Sequence, residues 1–195
     1  MWKDCEVHTS VWGGLPVLMW QIDDEIMLKQ ADLKESESIF MLLEHSREHL
    51  GPWIGWVDYT QSNGEMKQFI KTVNKKMKEQ TDVVLFIWYQ GQVAGSVALY
   101  DLKWHNQSGM LGYWVGGGFE GHGIAQRAVR GMLMYAFYTL MLNRVELRAA
   151  VQNEKSIKLA RRLGFQAEGI VRQAEWIRGQ CRDQVQMSLM KSEFQ

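Results

Sequence analysis

A glycine-rich turn between a strand-like run and an amphipathic helix is the feature that most constrains the fold of this chain. The turn reads Gly-Gly-Gly-Phe-Glu-Gly-His-Gly over residues 116–123 and follows the apolar run at residues 110–115. From Ile124 onward, apolar residues recur every three or four positions, as they do on a helix with one buried face. Glycines leave successive backbone N–H groups open at the positive end of such a helix, and this arrangement suits a diphosphate. The segment predicts either an anion-binding turn or an ordinary tight turn before a helix.

The region after this helix adds an alternating run and two short motifs. Residues 145–151 alternate between apolar and polar side chains, which is typical of a strand. The run Asn-Glu-Lys-Ser follows at residues 153–156, and Asn153 at its head is a favoured helix N-cap. A short helix then ends at Leu-Gly-Phe, residues 163–165, where glycine is the expected C-cap. Two further strand-like runs follow and predict a hairpin.

The first half of the chain adds further helices and strands. Strand-like runs occupy three segments, at about residues 25–29, 83–88 and 93–102. Helical spacing occupies two segments, at about residues 33–49 and 64–80. We expect a single α/β (α+β) domain over residues 1–195, with a mixed, mostly antiparallel sheet of about six or seven strands and about four flanking helices. Residues 1–16 precede these strands and are interpreted as an extension, an extra edge strand or a consequence of the chosen start codon.

Composition and charge argue against several kinds of partner. Acidic and basic residues balance at 22 each and the pI is about 7.0, so neither nucleic acid nor a membrane is expected as the main partner. No apolar run approaches the roughly 20 residues of a membrane span, and the start of the chain lacks the pattern of a signal peptide. Cys5 and Cys181 stand far apart, without the spacing of metal ligands. We therefore expect a reduced, cytoplasmic protein without a metal.

Taken in order, these motifs resemble the GNAT superfamily of acyl-coenzyme A N-acyltransferases. The resemblance is closest to the RimJ/RimL type, the ribosomal-protein alanine and serine N-acetyltransferases. Four further runs fit that type: Arg-Glu-His-Leu-Gly-Pro-Trp-Ile-Gly-Trp at residues 47–56, Gly-Tyr-Trp at 112–114, Ala-Glu-Gly at 167–169 and Arg-Gln-Ala-Glu at 172–175. The resemblance extends over about residues 25–194. It implies an acetyl-CoA-dependent enzyme that acetylates a primary amine, with a protein N-terminus as the expected acceptor and a homodimer as one possible assembly.

The resemblance also implies a coenzyme A site on the glycine turn and the strand before it. Backbone N–H groups of the turn would hold the pyrophosphate, and a donor near Val115 would face the thioester oxygen. The residues assigned to the cofactor are Trp114, Val115, Gly118, Gly121, His122, Gly123, Ile124, Ala125, Asn153 and Ser156. Gly118 stands where the family has Gln or Arg, and Glu120 stands where a basic or amide side chain is common. His122 is either a cationic partner of the cofactor or an exposed loop histidine, and Asn153 is either a cap alone or also an amide donor.

Two residues are assigned to the chemistry. Glu175 matches the position of the proposed catalytic glutamate of the serine-acetylating members, and burial in a Trp-rich cleft would raise its pKa to suit a general base. The alternative is a strand glutamate that faces solvent. Ser156 matches the group that meets the leaving thiolate, where a serine hydroxyl would act as a proton relay or hydrogen-bond donor. Asp183 is expected to orient the acceptor or to close a structural hydrogen bond.

The acceptor cleft is assigned to the segment after the first helix and to residues near the base. The residues implied are Arg47, His49, Trp53, Trp56, Tyr113 and Asp183. Ser46 departs from the asparagine that is usual in the family. One alternative is an acetyltransferase for a small amine, such as a polyamine or an antibiotic, although residues 47–56 are not acidic beyond Glu48. A second alternative is a non-catalytic acyl-CoA-binding module, against which the presence of both Ser156 and Glu175 argues.

Overall fold

One mixed sheet of nine strands organises the described part of the chain, which is residues 8–12 and 15–195 of a computed structural model. The strands are β1 (His8–Trp12), β2 (Leu15–Gln21), β3 (Ile26–Lys29), β4 (Val83–Tyr89), β5 (Gln92–Lys103), β6 (Ser108–Val115), β7 (Arg144–Ala150), β8 (Gln166–Ile177) and β9 (Gln180–Met190). Their order in the sheet is β1-β2-β3-β4-β5-β6-β7-β9-β8, and every neighbouring pair is antiparallel except β6 and β7. The expected α/β class with a mostly antiparallel sheet is confirmed.

The sheet is wider than six or seven strands because the chain before residue 25 contributes two of its own. β1 and β2 form a hairpin, and β2 pairs with β3 through Met19 to Gln21. The interpretation of the first residues as an added edge strand therefore holds for the described part, residues 8–12 and 15–21. Residues 1–7 and 13–14, and with them the expectation for Cys5, lie outside the described residues.

Five α-helices flank the sheet among the described residues. They are α1 (Ser36–His45), α2 (Arg47–Leu50), α3 (Asn63–Lys78), α4 (Ile124–Met134) and α5 (Glu154–Arg162). The single helix expected over residues 33–49 is interrupted at Ser46, whose φ of −101° and ψ of 2° separate α1 from α2. The helix that follows the glycine turn ends at Met134, where the chain passes into a π-helical turn at Tyr135–Thr139.

The helices cover both faces of the sheet and create two hydrophobic cores. α4 and α5 pack on one face, which we call the α4–α5 face, through side chains such as Met132 and Ile157. α1 and α3 pack on the other face, which we call the α1–α3 face, through side chains such as Ile39 and Ile70. Alternating side chains of the central strands enter both cores, since successive residues of a strand point to opposite faces. Trp114, for example, lies in the α1–α3 core.

Candidate active site

The parallel pair β6 and β7 opens into a gap beyond the middle of the sheet. Their ladder runs from Ser108 opposite Arg144 to Leu111 opposite Leu147, and there it ends. β6 continues to Val115 alongside β5, and β7 continues to Ala150 alongside β9. The two facing strand edges therefore separate, and the backbone groups along them are available to a bound molecule.

The register aims backbone donors of β6 into this opening. Gly116 donates its N–H to the Ala94 carbonyl of β5 at 2.9 Å. Because the N–H groups of a strand alternate between its two edges, the N–H of Val115 points away from β5 and toward the opening. This orientation supports Val115 as a backbone donor to an oxygen held between the strands.

The glycine turn leads from the end of β6 into α4. Gly121 and Gly123 have φ values of 82° and 69°, a left-handed conformation that L side chains rarely adopt. A Cβ atom built on Gly118, Gly121 or Gly123 meets nothing within 4 Å, so the outer side of the turn is open. Gly123 is the N-cap of α4 and supplies no side-chain cap, which leaves the first N–H groups of the helix to other partners. The turn thus has the open donors and the helix terminus that a diphosphate needs.

Positively charged or ionisable side chains around the turn pair with Glu120, which limits the repulsion between its carboxylate and a bound phosphate. Lys155 donates to the Glu120 carboxylate at 3.1 Å, and His49 Nε2 lies 3.5 Å from it. His122 is exposed in the turn, and its Nδ1 lies 2.9 Å from the Glu120 carbonyl oxygen. Arg127 of α4 donates to the His122 carbonyl at 3.1 Å. His49, a predicted acceptor contact, therefore lies beside Glu120 of the glycine turn.

Asn153 and Ser156 lie at the start of α5, as the sequence predicts. The Asn153 side chain accepts a hydrogen bond from the Ser156 N–H at 3.2 Å, which confirms its capping role. Tyr113 of β6 donates its hydroxyl to Ser156 Oγ at 3.0 Å. Burial raises the pKa of Tyr113. This hydrogen bond joins β6 to α5 on the α4–α5 face, so Tyr113 contacts the predicted leaving-group residue.

Glu175 lies on the opposite side of the sheet, half-buried near the end of β8. Its carboxylate accepts a hydrogen bond from the Gln184 side chain at 2.7 Å. Gln184 is paired with Ala150, whose neighbour Ala149 packs into the α4–α5 core, so by alternation Gln184 lies on the α1–α3 face. Burial raises the pKa of Glu175, against the lowering effects of the Gln184 hydrogen bond and the nearby charge of Arg182. A carboxyl group of this kind suits a general base.

The segment at residues 47–56 divides between packing and lining. Trp56 stacks on Phe69 at 5.2 Å and meets Trp114 edge-on at 6.3 Å, so it belongs to the wall of the α1–α3 core. Trp53 lies under the guanidinium of Arg182, which is 5.6 Å from the ring centroid. Trp53 is therefore next to the strand pair that carries Glu175.

Two predicted acceptor residues have hydrogen bonds inside the chain. Arg47 binds the Glu44 carboxylate at 2.5 Å and donates to the carbonyls of Val57 and Thr60, which holds the turn after α2 in place. Asp183 accepts from the Gln173 N–H at 2.8 Å across an irregular stretch of the β8–β9 ladder. Of the two roles expected for Asp183, this contact is the structural hydrogen bond.

The β8–β9 turn is clasped to the segment that follows α2. Arg178 forms two hydrogen bonds with the Asp58 carboxylate, at 2.8 and 2.7 Å. Its guanidinium also lies over Gly51, where a Cβ atom would come within 1.9 Å of it. This clasp holds the segment that carries Trp53 against the strand pair that carries Glu175.

Sequence reasoning missed three contacts of the site. Ser46 accepts a hydrogen bond from the Gly117 N–H at 3.2 Å and so ties the α1–α2 junction to the glycine turn. Gln184 binds Glu175, and Arg182 covers Trp53. Gln184 and Arg182 follow the β8–β9 turn at even spacing from Gln180, which was the available signal that they share a face.

Two further properties concern the described residues only. No group of three or more His, Cys, Asp and Glu side chains among them could hold a metal ion. None of their helices is both long and apolar enough to cross a membrane.

Comparison with known sequences connects this geometry to acetyltransferases. Residues 25–166 match the family described as "Acetyltransferase (GNAT) domain". The chain is 30% identical over 176 residues to the "Putative ribosomal N-acetyltransferase YdaF" of Bacillus subtilis (strain 168), which covers 90% of this chain and 96% of that protein. It is 26% identical over 121 residues to the spermidine N(1)-acetyltransferase of Escherichia coli (strain K12), covering 62% and 65%.

Two solved acetyltransferase structures are similar to this chain. The microcin C7 self-immunity acetyltransferase MccE, in complex with acetyl-CoA and AMP, is 27% identical with a TM-score of 0.83 and covers 88% of this chain and 95% of that chain. RimL, the ribosomal L7/L12 alpha-N-protein acetyltransferase, in complex with coenzyme A, shares the fold at 21% identity with a TM-score of 0.84, covering 87% and 96%.

Proposed function

Because the chain belongs to the GNAT acetyltransferase family, we propose that it moves an acetyl group from acetyl-CoA to the α-amine at a protein N-terminus, such as that of a ribosomal protein. The observation that carries the proposal is the position of Glu175, a half-buried carboxyl group with a raised pKa on the α1–α3 face. Ser156 and Tyr113 meet on the α4–α5 face, and the gap between β6 and β7 lies between the two faces. Acceptor and cofactor can then approach the same point from opposite sides.

The cofactor fits the open turn and the separated strands. N–H groups of residues 121–125 would bind the pyrophosphate at the start of α4, where the helix dipole favours negative charge. The edge of β6 from Tyr113 to Val115 would pair with the pantetheine amides as an added strand does. Asn153 uses its side-chain oxygen on Ser156, so its NH₂ group is available to a carbonyl of the cofactor. When bound, acetyl-CoA supplies a thioester carbonyl that an amine can attack.

Glu175 is the residue best suited to remove the proton from the acceptor. An α-amine must lose its proton before it can attack, and an amine with a pKa of about 8 is partly protonated at neutral pH. Gln184 holds the Glu175 carboxylate in one orientation. In that orientation the carboxylate could take the proton from the amine directly or through one water. The Val115 N–H would then stabilise the negative charge that develops on the carbonyl oxygen.

Ser156 and Tyr113 are suited to the departing thiolate. A serine hydroxyl alone is a weak acid, but the Tyr113 hydroxyl donates to its oxygen and leaves the serine proton free to point toward the sulfur. The pair can therefore pass a proton from phenol to serine to thiolate, or stabilise the thiolate by hydrogen bonding alone.

A small polyamine is the second candidate acceptor, favoured by the similarity to spermidine N(1)-acetyltransferase. The two candidates separate in one acetylation assay with labelled acetyl-CoA. The acceptors are a peptide with a free Ser or Ala N-terminus, the same peptide with a formylated N-terminus and an internal lysine, and spermidine. The proposal predicts label on the free α-amine and none on the formylated peptide. Preferential labelling of spermidine or of the lysine would contradict it.

A further inference from the structure

Arg182 is held differently from the arginines that brace the sheet. Arg127, Arg144 and Arg178 each form an ion pair with at least one carboxylate. Within the described residues, Arg182 has no carboxylate at ion-pair distance and rests on the ring of Trp53. Its Nε is buried and has no hydrogen-bond partner among those residues. One of its outer nitrogens donates to the Gln180 side chain at 3.5 Å, which is a long and weak contact, so its other outer N–H groups can donate to an oxygen ligand.

The position of Arg182 relative to the proposed base defines a two-part site. Arg182 is directly paired with Glu175 across the β8–β9 ladder, so both side chains leave the same face. The two do not form an ion pair, since Glu175 binds Gln184 and Arg182 lies on Trp53. Side chains paired in this way are roughly 5 Å apart at their Cβ atoms. One carboxylate and one guanidinium therefore stand side by side, each with bonding capacity left.

Such a pair matches a molecule with an ammonium group and an oxygen close together. On the premise that the chain acetylates an amine at Glu175, we infer that Arg182 binds the first carbonyl oxygen of an α-amino-acyl acceptor, that is, of a peptide N-terminus. In such an acceptor the carbonyl carbon is bonded to the carbon that bears the amine, so both groups fit within the spacing of one cross-strand pair. A polyamine has no oxygen for Arg182 and brings a second positive charge toward it, which is repulsive.

The charge of the surrounding cleft agrees with this selectivity. Arg148 lies on the same α1–α3 face and donates to the Gln186 side chain. Glu146 is the nearest further carboxylate on β7, and it is bound by Arg144 and Gln186. The one acidic group that β7 brings to this face is thus engaged with partners of its own.

The test compares two acceptors in three proteins. The acceptors are Ala-Ala-amide, which has the carbonyl, and n-propylamine, a primary amine that lacks it. The proteins are the unmodified enzyme, Arg182→Met, and the control Arg161→Met, which removes an exposed charge at the end of α5. We expect Arg182→Met to raise the KM for Ala-Ala-amide by roughly 10-fold or more, with the KM for n-propylamine and the KM for acetyl-CoA unchanged. Arg161→Met is expected to leave the KM for both acceptors unchanged.

Binding of Ala-Ala-amide to the coenzyme A complex, measured by calorimetry, reads the same contact without turnover. The inference predicts binding by the unmodified protein and loss of binding in Arg182→Met, with partial recovery in Arg182→Lys. Equal losses on both acceptors would make Arg182 a structural residue and overturn the inference. So would absence of Ala-Ala-amide binding by the unmodified protein, or unchanged binding in Arg182→Met. Failure of the proposed function alone would appear as peptide binding without acetylation.

Discussion

At the scale of single residues, the side chains of the site act in pairs. Asn153 and Ser156 could be predicted from the sequence, because an N-cap and its third helical residue are set by local spacing. The contact of Ser156 with Tyr113 could not be predicted, since Tyr113 lies on a strand 43 positions earlier and meets Ser156 only through the fold. The contact between Glu175 and Gln184 could not be predicted either, because an irregular ladder between β8 and β9 decides which side chains meet.

The Tyr113–Ser156 contact gives the first prediction. If the two hydroxyls act as one unit on the leaving thiolate, Ser156→Ala and Tyr113→Phe each slow turnover by at least about 10-fold. The double variant should be little slower than Ser156→Ala alone, because residues that act as a unit are not additive. Single-turnover kinetics of the four proteins measure this. Losses that multiply in the double variant would show that the two residues act independently.

At the scale of elements, the proposed cofactor site is formed by the turn before α4 and the gap between β6 and β7. The turn was predictable because glycine at such positions has a local, conformational cause. The gap was not, since it depends on where a parallel ladder stops and on which neighbours the two strands take afterwards. Ser46 shows the same limit: at the break between α1 and α2, its hydroxyl accepts a hydrogen bond from Gly117, 71 positions away.

The conformation of Gly123 gives the second prediction. Gly123→Val places a β-branched residue at a φ of 69° and should cost about 1–3 kcal/mol of stability. It should also weaken acetyl-CoA binding, because the new side chain blocks the open side of the turn. Gly91→Val is the matched control, since Gly91 in the β4–β5 turn has a φ of 80° and a Cβ atom there also meets nothing within 4 Å. Calorimetry should show weaker acetyl-CoA binding in Gly123→Val than in Gly91→Val. Equal affinity in the two variants would contradict the assignment of the glycine turn to the cofactor.

At the scale of the whole molecule, networks across the sheet hold together elements that the site needs. Arg144 of β7 binds the Glu168 carboxylate of β8 at 2.7 and 2.6 Å, and Ser188 of β9 donates to the same carboxylate at 2.8 Å. The Arg144 hydrogen bond is the main reason that the pKa of Glu168 falls from 4.5 to about 2. Three strands are thus joined on the α1–α3 face. The order of motifs in the sequence could not reveal this, because sequence patterns specify strands more readily than the side-chain bonds between them.

This network gives a prediction for stability against pH. The folded state lowers the pKa of Glu168, so the ion pair stabilises the fold above pH 4.5 and loses that effect as the pH falls toward 2. The Glu168 side chain is 38% exposed, so screening limits the contribution to about 1 kcal/mol or less. Urea unfolding of the unmodified protein and Glu168→Gln should differ near neutral pH and converge in acid. A difference that stays constant through that interval would contradict the assignment.

The central claim is that Glu175 removes the proton from the acceptor amine, and the pH profile of Glu175→Gln tests it most directly. The variant keeps the shape of the side chain, and turnover should fall by roughly 10²-fold or more while acetyl-CoA affinity is unchanged. Raising the pH should partly restore the rate, because free amine then forms without the enzyme. Glu146→Gln, which alters a carboxylate on β7 on the same face, is the control and should retain most of its turnover. Turnover of Glu175→Gln equal to that of the unmodified enzyme across the pH range would contradict the account.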